Sequence, residues 1–382
     1  MRGLVRAAVF VFTAAVTPGM GAPFIPESDN QVLEHLPFTP TDPAMRKLRA
    51  LRDQLKDQPD NLPLAVRLAR GYLELGRVTG DPRYAGYAQA ALSPWWDLKQ
   101  PPEQILVLRA TLRQRIHQFD TALADLGAVL AANPSNTQAR LTRATVLQVQ
   151  GAFDAARNEC LALQDLTQEL VWTACLTSVN GITGKLRVSY EQLRAALGRQ
   201  HHVKPEVRSW VLTSLAEMAA RAGMAEDAQG HFREALVLDA ADSYLLGAYA
   251  DFLLDQGRPQ EVIALLKGET RADPLLLRYA LALQAQHSKE LPAQVEQLRD
   301  RFEASRLRGD RVHVREEARF TLHLLNAPKE ALKLAQENWE LQKEPADIRI
   351  LLESAHAAHD NASVENARDW LKETGLEDFR LD

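Results

Sequence analysis

The feature of this sequence that most restricts its fold is a repeat with a period of 34 residues. Within residues 104–163, four residues recur at that spacing: Ala110, Phe119, Asp120 and Ala122 are followed by Ala144, Phe153, Asp154 and Ala156. A second stretch, 212–266, shows the same spacing: Leu212, Ala216 and Gly223 are followed by Leu246, Ala250 and Gly257. A fixed period of this length indicates an array of small stacked units rather than one globular core.

Composition and the spacing of apolar residues predict that the units are helical. Good helix formers such as Ala, Leu, Gln, Glu and Arg are abundant, whereas alternating runs of Val, Ile and Thr are scarce. Leu212, Leu215, Ala216 and Ala219 fall at i, i+3, i+4 and i+7, which places them on one helix face. The chain has 382 residues, of which 46% are hydrophobic and 25% charged, as in folded proteins larger than one core. We therefore expect an all-α fold.

The repeat resembles the tetratricopeptide repeat, a helix–turn–helix unit of 34 residues. Gly223 stands at the turn between the two helices, Phe232 at the bulky position of the second helix, and Asn133-Pro134 at the end of a unit. The resemblance implies a helical-hairpin solenoid, wound as a right-handed superhelix of roughly nine hairpins over residues 61–382. The best-defined repeats are 103–136, 137–169, 209–242 and 243–268. A generic helical bundle with chance self-similarity is the alternative.

The first residues differ from the rest and predict export. Arg2 and Arg6 precede a mostly apolar run from Ala7 to Val16, and small residues follow up to Ala22. This layout is typical of a secretory signal peptide covering residues 1–22, and the run is shorter than the ~20 residues that span a bilayer. We predict secretion across the inner membrane into the periplasm. An uncleaved anchor or a misassigned start site is the alternative.

Two more segments precede the repeats. Residues 23–43 are rich in proline, which favours an extended arm, and a role of this arm in capturing a partner is left open. Residues 44–58 carry an apolar stripe of Leu48, Leu51 and Leu55, which predicts a helix that caps the first hairpin. No apolar run after the leader is long enough for a membrane span.

The sequence contains two cysteines, Cys160 and Cys175. The resemblance places Cys160 on the second helix of one unit and Cys175 on the first helix of the next, and these two helices pack together. In an oxidising compartment this placement favours a disulfide. Two buried free thiols are the alternative.

No residue pattern predicts catalysis, a metal site or a cofactor. The sequence lacks a nucleophile elbow and a complete phosphate loop. His201-His202 and the pair His356 and His359 have spacings that can bind a metal, but neither pair has a third ligand at a matching position. The net charge of −5, with both signs mixed along the chain, gives no basic surface for nucleic acid.

The resemblance implies a concave groove, lined by the first helix of each unit, that binds a peptide or helix of a partner protein. The inner-face candidates are Val107, Thr111, Gln114, Arg115, Leu141, Thr145, Gln148, Trp210, Thr213, Glu217, Arg221, Tyr244, Asp251 and Asp255. We expect a non-catalytic protein–protein interaction scaffold of the extracytoplasmic compartment. A metal- or redox-linked accessory protein for an envelope complex is the alternative, and an enzyme with its active site in the groove is less favoured.

Overall fold

The structure is a computed structural model that describes Ser28 and residues 42–200 and 202–381. These residues form twenty helices and no strand: α1 (Pro43–Asp57), α2 (Leu62–Thr79), α3 (Arg83–Ala91), α4 (Ser93–Trp96), α5 (Glu103–Arg115), α6 (Phe119–Ala132), α7 (Thr137–Val149), α8 (Phe153–Leu161), α9 (Glu169–Asn180), α10 (Leu186–Gly198), α11 (Pro205–Arg221), α12 (Ala225–Leu238), α13 (Ser243–Asp255), α14 (Pro259–Leu266), α15 (Asp273–Ala285), α16 (Leu291–Leu307), α17 (Val314–His323), α18 (Pro328–Leu341), α19 (Pro345–Ala357) and α20 (Asn361–Thr374). The predicted signal peptide and almost all of the predicted arm lie outside the described residues.

Eighteen of these helices pair into nine hairpins, which confirms the predicted all-α helical-hairpin solenoid for the described part of the chain. The first helices of the hairpins, here called A helices, are α2, α5, α7, α9, α11, α13, α15, α17 and α19. The second, or B, helices are α3, α6, α8, α10, α12, α14, α16, α18 and α20. Each A helix also contacts the A helix of the next hairpin, so the hairpins stack in chain order, and α1 packs on α2. Across residues 42–200 and 202–381, no helix is both long and apolar enough to cross a membrane.

Seven of the nine described turns between the A and B helices share one hydrogen bond, in which the amide after a residue with a positive φ donates to the carbonyl five residues earlier. In the second and third hairpins, the amides of Gln118 and Ala152 donate to the carbonyls of Arg113 and Leu147, each at 2.8 Å. One residue in every described turn has a positive φ: Gly80, His117, Gly151, Gly184, Gly223, Gly257, His287, Asn326 and His359. Glycine adopts this conformation without strain, so the histidines and the asparagine occupy positions that suit glycine best.

Residues of the two well-matched repeats pack as their types require. Phe232 is 1% exposed, and its ring centroid lies 5.1 Å from that of Tyr249 and 5.6 Å from that of Phe252. Ala216 and Ala250 are fully buried between neighbouring helices. Each helix pair therefore encloses one bulky ring and keeps small residues where the backbones come close, which is how a short hairpin buries apolar surface against its neighbours.

Cys160 on α8 and Cys175 on α9 form the predicted disulfide, with 5.4 Å between their Cα atoms. Both cysteines are buried in the interface between the third and fourth hairpins. The bond therefore adds a covalent link between two units that also pack together and share hydrogen bonds such as the one from Arg157 to Asn180, at 3.0 Å.

The superhelical winding of the array brings hairpins that are not neighbours in the stack into contact. At the end of α2, the Ser243 hydroxyl of the sixth hairpin donates to the Arg77 carbonyl at 2.9 Å. Between α18 and α19, the Lys343 amide donates to the Val149 carbonyl of the third hairpin at 2.7 Å. Ile182 after α9 belongs to the same apolar cluster as Ile350 of α19. The inner faces of the A helices consequently face one another across a short distance.

The end of the described chain crosses from the ninth hairpin to the earlier ones. The Phe379 amide donates to the Arg221 carbonyl at 3.1 Å, and the Leu186 amide donates to Glu377 at 3.2 Å. Arg380 forms an ion pair with Asp255 at 2.9 Å. These contacts bring residues 377–380 against the inner side of the fourth to sixth hairpins.

Candidate functional site

The A helices line a cavity of about 470 Å³, called here the central cavity. Its lining comes mainly from α7, α9, α11, α13, α15, α17 and α19, with Phe232 from α12 and with Gly80 and Arg380 from the two ends of the described array. Eleven of the 32 described residues of this lining are Arg, Asp or Glu, and the others are uncharged apart from His313. The arginines are Arg221, Arg278, Arg315, Arg319, Arg349 and Arg380. The acidic residues are Glu217, Asp251, Glu316, Glu344 and Glu353.

Asp251 on α13 lies between two arginines of later A helices. Its carboxylate is 2.5 Å from Arg278 Nη2 and 2.6 Å from Arg319 Nη1. Burial alone would raise the pKa of Asp251, but the two guanidinium groups outweigh burial and hold this pKa well below its ordinary value. The carboxylate is therefore ionised and fixes three successive A helices relative to one another.

Asp255, one helical turn further along α13, bridges to the last hairpin and the chain end. Its carboxylate lies 2.8 Å from Arg349 Nη2 and 2.9 Å from Arg380 Nη1. Arg349 also contacts Glu353 at 2.8 Å. Burial opposes ionisation of Glu353, but His323 and Arg349 lower its pKa to about 2.

Arg315 on α17 forms ion pairs with a second group of acidic residues. It contacts Glu344 at 3.0 Å, Asp347 at 3.2 Å and Glu316 at 3.4 Å. Burial would raise the pKa of Glu316, but Arg315 and then His313 lower it to about 2. Burial dominates at Asp347, whose pKa is raised to about 6 despite the same arginine.

Glu217 and Tyr244 form a hydrogen-bonded pair in the cavity wall. The Tyr244 hydroxyl donates to Glu217 Oε1 at 2.7 Å. Burial raises the pKa of Glu217 to about 7, although the Tyr244 bond and Arg221 act to lower it. Tyr244 is 64% exposed, and this exposed surface lines the central cavity. Near neutral pH this carboxyl can therefore act either as an acceptor or as a donor.

Five of the fourteen predicted inner-face residues line the central cavity: Gln148, Glu217, Arg221, Tyr244 and Asp251. Asp255 lies directly behind the wall, in its ion pairs with Arg349 and Arg380. The cavity thus contains part of the predicted set, mostly from the fifth and sixth hairpins.

The other eight predicted residues do not line this cavity. Val107 and Thr213 are buried in the helix packing, and Leu141 packs beside the disulfide. The hydroxyls of Thr111 and Thr145 donate to carbonyls of their own helices, at 2.9 and 3.0 Å. The remaining three lie elsewhere on α5 and α11: Gln114, Arg115 and Trp210.

The arginines opposite Asp251 and Asp255 were not predicted from the sequence. Arg278, Arg319 and Arg349 belong to hairpins whose sequence follows the repeat only loosely. The sequence did contain a signal for Arg349: Arg315 and Arg349 are 34 positions apart and occupy equivalent places on α17 and α19. The carboxylates that these arginines contact lie up to ninety-four positions away, however, and no local pattern links them.

Of the two histidine pairs, only His356 and His359 lie wholly in the described part of the chain. There, no group of three or more His, Cys, Asp or Glu side chains is arranged to hold a metal ion. His356 and His359 are exposed, and His359 occupies a turn with a φ of 59°. The pair at 201–202 is not tested, because His201 lies outside the described residues.

No protein family matches this sequence, and no curated protein matches it. Similar solved structures include the APC/C hetero-tetramer Cut9-Hcn1, at 12% identity and a TM-score of 0.44, with 81% of this chain and 52% of that chain covered. The human IFIT1 dimer with m7Gppp-AAAA matches at 10% identity and a TM-score of 0.48, covering 87% and 86%. A tetratricopeptide repeat protein from Parabacteroides merdae matches at 11% identity and 0.37, covering 80% and 99%. The chain spans about half the length of the first of these structures. With identities of 10–12% and TM-scores below 0.5, none of the three supports a functional assignment for this chain.

Proposed function

We propose that this protein is a non-catalytic scaffold that holds a short segment of a partner protein in its central cavity. The observation that carries the proposal is the convergence of charged side chains from successive A helices on one cavity of about 470 Å³. This volume lies within the range of about 300–1,000 Å³ for pockets that hold a ligand. The occupant would be a few residues of a loop or chain end rather than a whole helix.

The chemistry of the wall supports recognition rather than proton or group transfer. Two of its acids, Asp251 and Glu353, are held by arginines in ion pairs of 2.5 to 2.8 Å. Glu217 and Tyr244 add a hydrogen-bonding pair whose donor and acceptor roles can change with the ligand. Such a wall favours a polar segment that replaces some of these contacts with its own.

Site-specific photo-crosslinking tests this proposal. A photoreactive residue in place of Tyr244, inside the cavity, is expected to capture one defined partner in the native compartment. The matched control carries the same residue in place of Val237, which is 86% exposed on α12, a B helix. Equal capture at both positions, or capture at Val237 alone, would reject the central cavity as the binding site.

A second variant tests the cavity without a crosslinker. Ser214 lines the cavity on α11, and Ser214→Trp would fill part of it. The variant is expected to lose the partner while keeping its melting temperature. Retained binding by a folded Ser214→Trp protein would contradict the proposal.

We also propose that the scaffold works in the extracytoplasmic compartment. The leader-like residues 1–22 and the bond between Cys160 and Cys175 both support this location. An alkaline phosphatase reporter fused after residue 60 should be active, because this enzyme needs an oxidising compartment. A reporter active only in the reduced cytosol, such as β-galactosidase fused at the same position, should be inactive, and the reverse pattern would place the protein inside the cell.

A further inference from the structure

A second concave surface lies at the start of the array, between α1 and the hairpin of α2 and α3. This N-terminal groove has a volume of about 660 Å³. Its floor is apolar, with Leu48 from α1, Leu68 from α2 and Ala91 from α3. All three residues are buried. The groove is separate from the central cavity and shares no lining residue with it.

Three tyrosines form one wall of the N-terminal groove. The ring centroids of Tyr72, Tyr84 and Tyr87 lie 5.6 to 6.3 Å from one another. Tyr87 is 52% exposed. Tyrosine is enriched in binding surfaces because its ring offers a large, rigid apolar face and its hydroxyl a polar tip.

The opposite wall is basic. Helix α1 carries five basic residues and two acidic ones, and Arg49, Arg52 and Lys56 line the groove. All three are exposed, and within residues 42–200 and 202–381 no carboxylate forms an ion pair with Arg49 or Lys56. An occupant that suits this groove therefore has apolar side chains together with acidic ones.

The chain itself contains such a segment directly before α1. Residues 23–41 carry three acidic residues and no Lys or Arg: Glu27, Asp29 and Glu34. They also carry apolar residues of suitable size, including Phe24, Leu33 and Phe38. The described chain resumes at Asp42, and Met45, three residues later, already lines the groove. At up to about 3.3 Å per residue, nineteen residues are ample to reach back along a helix of this length.

We propose that residues 23–41 bind in the N-terminal groove of their own chain. Their acidic residues face Arg49, Arg52 and Lys56, and their apolar residues cover the tyrosine wall and the Leu48–Leu68 floor. In the described part of the chain α1 is the only helix before the first hairpin, and this binding covers apolar surface that α1 leaves exposed. The proposal is independent of the central cavity, so either can fail without the other.

Hydrogen exchange on the full chain tests the proposal, with amides of residues 23–41 as the readout. The groove variant is Arg49→Glu/Arg52→Glu. The matched control is Arg46→Glu/Lys47→Glu, the same two charge reversals on α1 at exposed positions outside the groove. Wild type and control are expected to protect residues 23–41, and the groove variant to lose this protection by roughly ten-fold. Equal protection in both variants, or none in wild type, would overturn the proposal.

A charge swap distinguishes direct pairing from a general effect of the reversals. Adding Glu27→Arg/Glu34→Arg to the groove variant should restore protection, whereas adding it to wild type should remove protection. Protection that increases with protein concentration, together with a dimer in sedimentation, would show that the segment binds a second copy and would overturn binding within one chain. Failure of the swap to restore protection in a folded protein would also count against the proposal.

Discussion

Asp255 and Arg349 form an ion pair of 2.8 Å that joins the sixth hairpin to the ninth. The two residues are ninety-four positions apart in the chain. Arg380 adds a second contact to the same carboxylate at 2.9 Å. One carboxylate on α13 therefore holds together parts of the array that are not neighbours in the stack, and it helps to convert an inner groove into the central cavity.

Asp255→Ala is expected to destabilise the protein by about 2–3 kcal/mol, because it leaves two guanidinium groups at the cavity wall without this partner. Urea unfolding measures the change. The control is Asp154→Ala, whose side chain is 95% exposed and pairs with Arg157 three residues away. The control should cost about 0.5 kcal/mol or less. Similar losses for both variants would contradict a structural role of the cross-cavity pair.

The pKa of Glu217 is raised from its ordinary value of 4.5 to about 7 in the folded protein. We therefore expect the unfolding free energy to change with pH between these two values. In this range the folded state binds the proton more tightly than the unfolded state, so folding loses stability as the pH rises. Glu217→Gln removes that loss, and at pH 8 the variant should exceed wild type by about 2 kcal/mol more than at pH 4.5.

The measurement for Glu217 is a series of urea midpoints between pH 4.5 and 8. Glu373→Gln, at an exposed position on α20, is the control and should keep a constant difference from wild type. A constant difference for Glu217→Gln as well would show that folding does not raise the pKa of this carboxyl.

Reduction of the bond between Cys160 and Cys175 should cost about 3 kcal/mol of unfolding free energy, as the chain-entropy estimate gives for a loop of this length. The two residues are 15 positions apart. Denaturant unfolding with and without dithiothreitol measures the effect, and Cys160→Ala/Cys175→Ala should not respond to the reductant. Two reactive thiols in the denatured, unreduced protein would refute the bond.

Substitutions at two turn residues, His287 and Gly257, are expected to change the stability of the protein in opposite directions. His287 is exposed and has a φ of 51°, so His287→Gly should stabilise the protein by about 1 kcal/mol. Gly257 occupies the equivalent turn with a φ of 66°, and no atom lies within 4 Å of an added Cβ. Gly257→Ala should therefore cost about 1 kcal/mol through backbone strain alone. Thermal melts of both variants check the signs, and the same sign for both would disprove the strain argument.

The hairpins could be predicted because their determinants are local. Phe232 and Ala216 occupy positions fixed by contacts within one hairpin or with the next. Because such contacts recur from hairpin to hairpin, the same residue types recur every 34 residues in the sequence. Glycine at the turn follows from the positive φ that the turn requires. The bond between Cys160 and Cys175 could also be predicted, because it joins helices that are adjacent in the stack.

The central cavity could not be predicted in the same way. Val107 and Tyr244 were both expected on the inner face, yet Val107 is buried in the helix packing and Tyr244 lines the cavity. Which inner-face residues meet depends on the rotation between successive hairpins, summed over several of them. A small change in that rotation would separate Asp251 from Arg319 without altering any single hairpin.

The sequence by itself determined the helices, the hairpin units, their turns and the cysteine pair, since each depends on residues close together in the chain or in adjacent units. Only the tertiary structure decided that Asp255 meets Arg349, that Lys343 meets Val149, and that the inner faces of distant hairpins line one central cavity. The physical reason is that stacking energy is local, whereas closure is the accumulated result of many interfaces and leaves no period in the sequence.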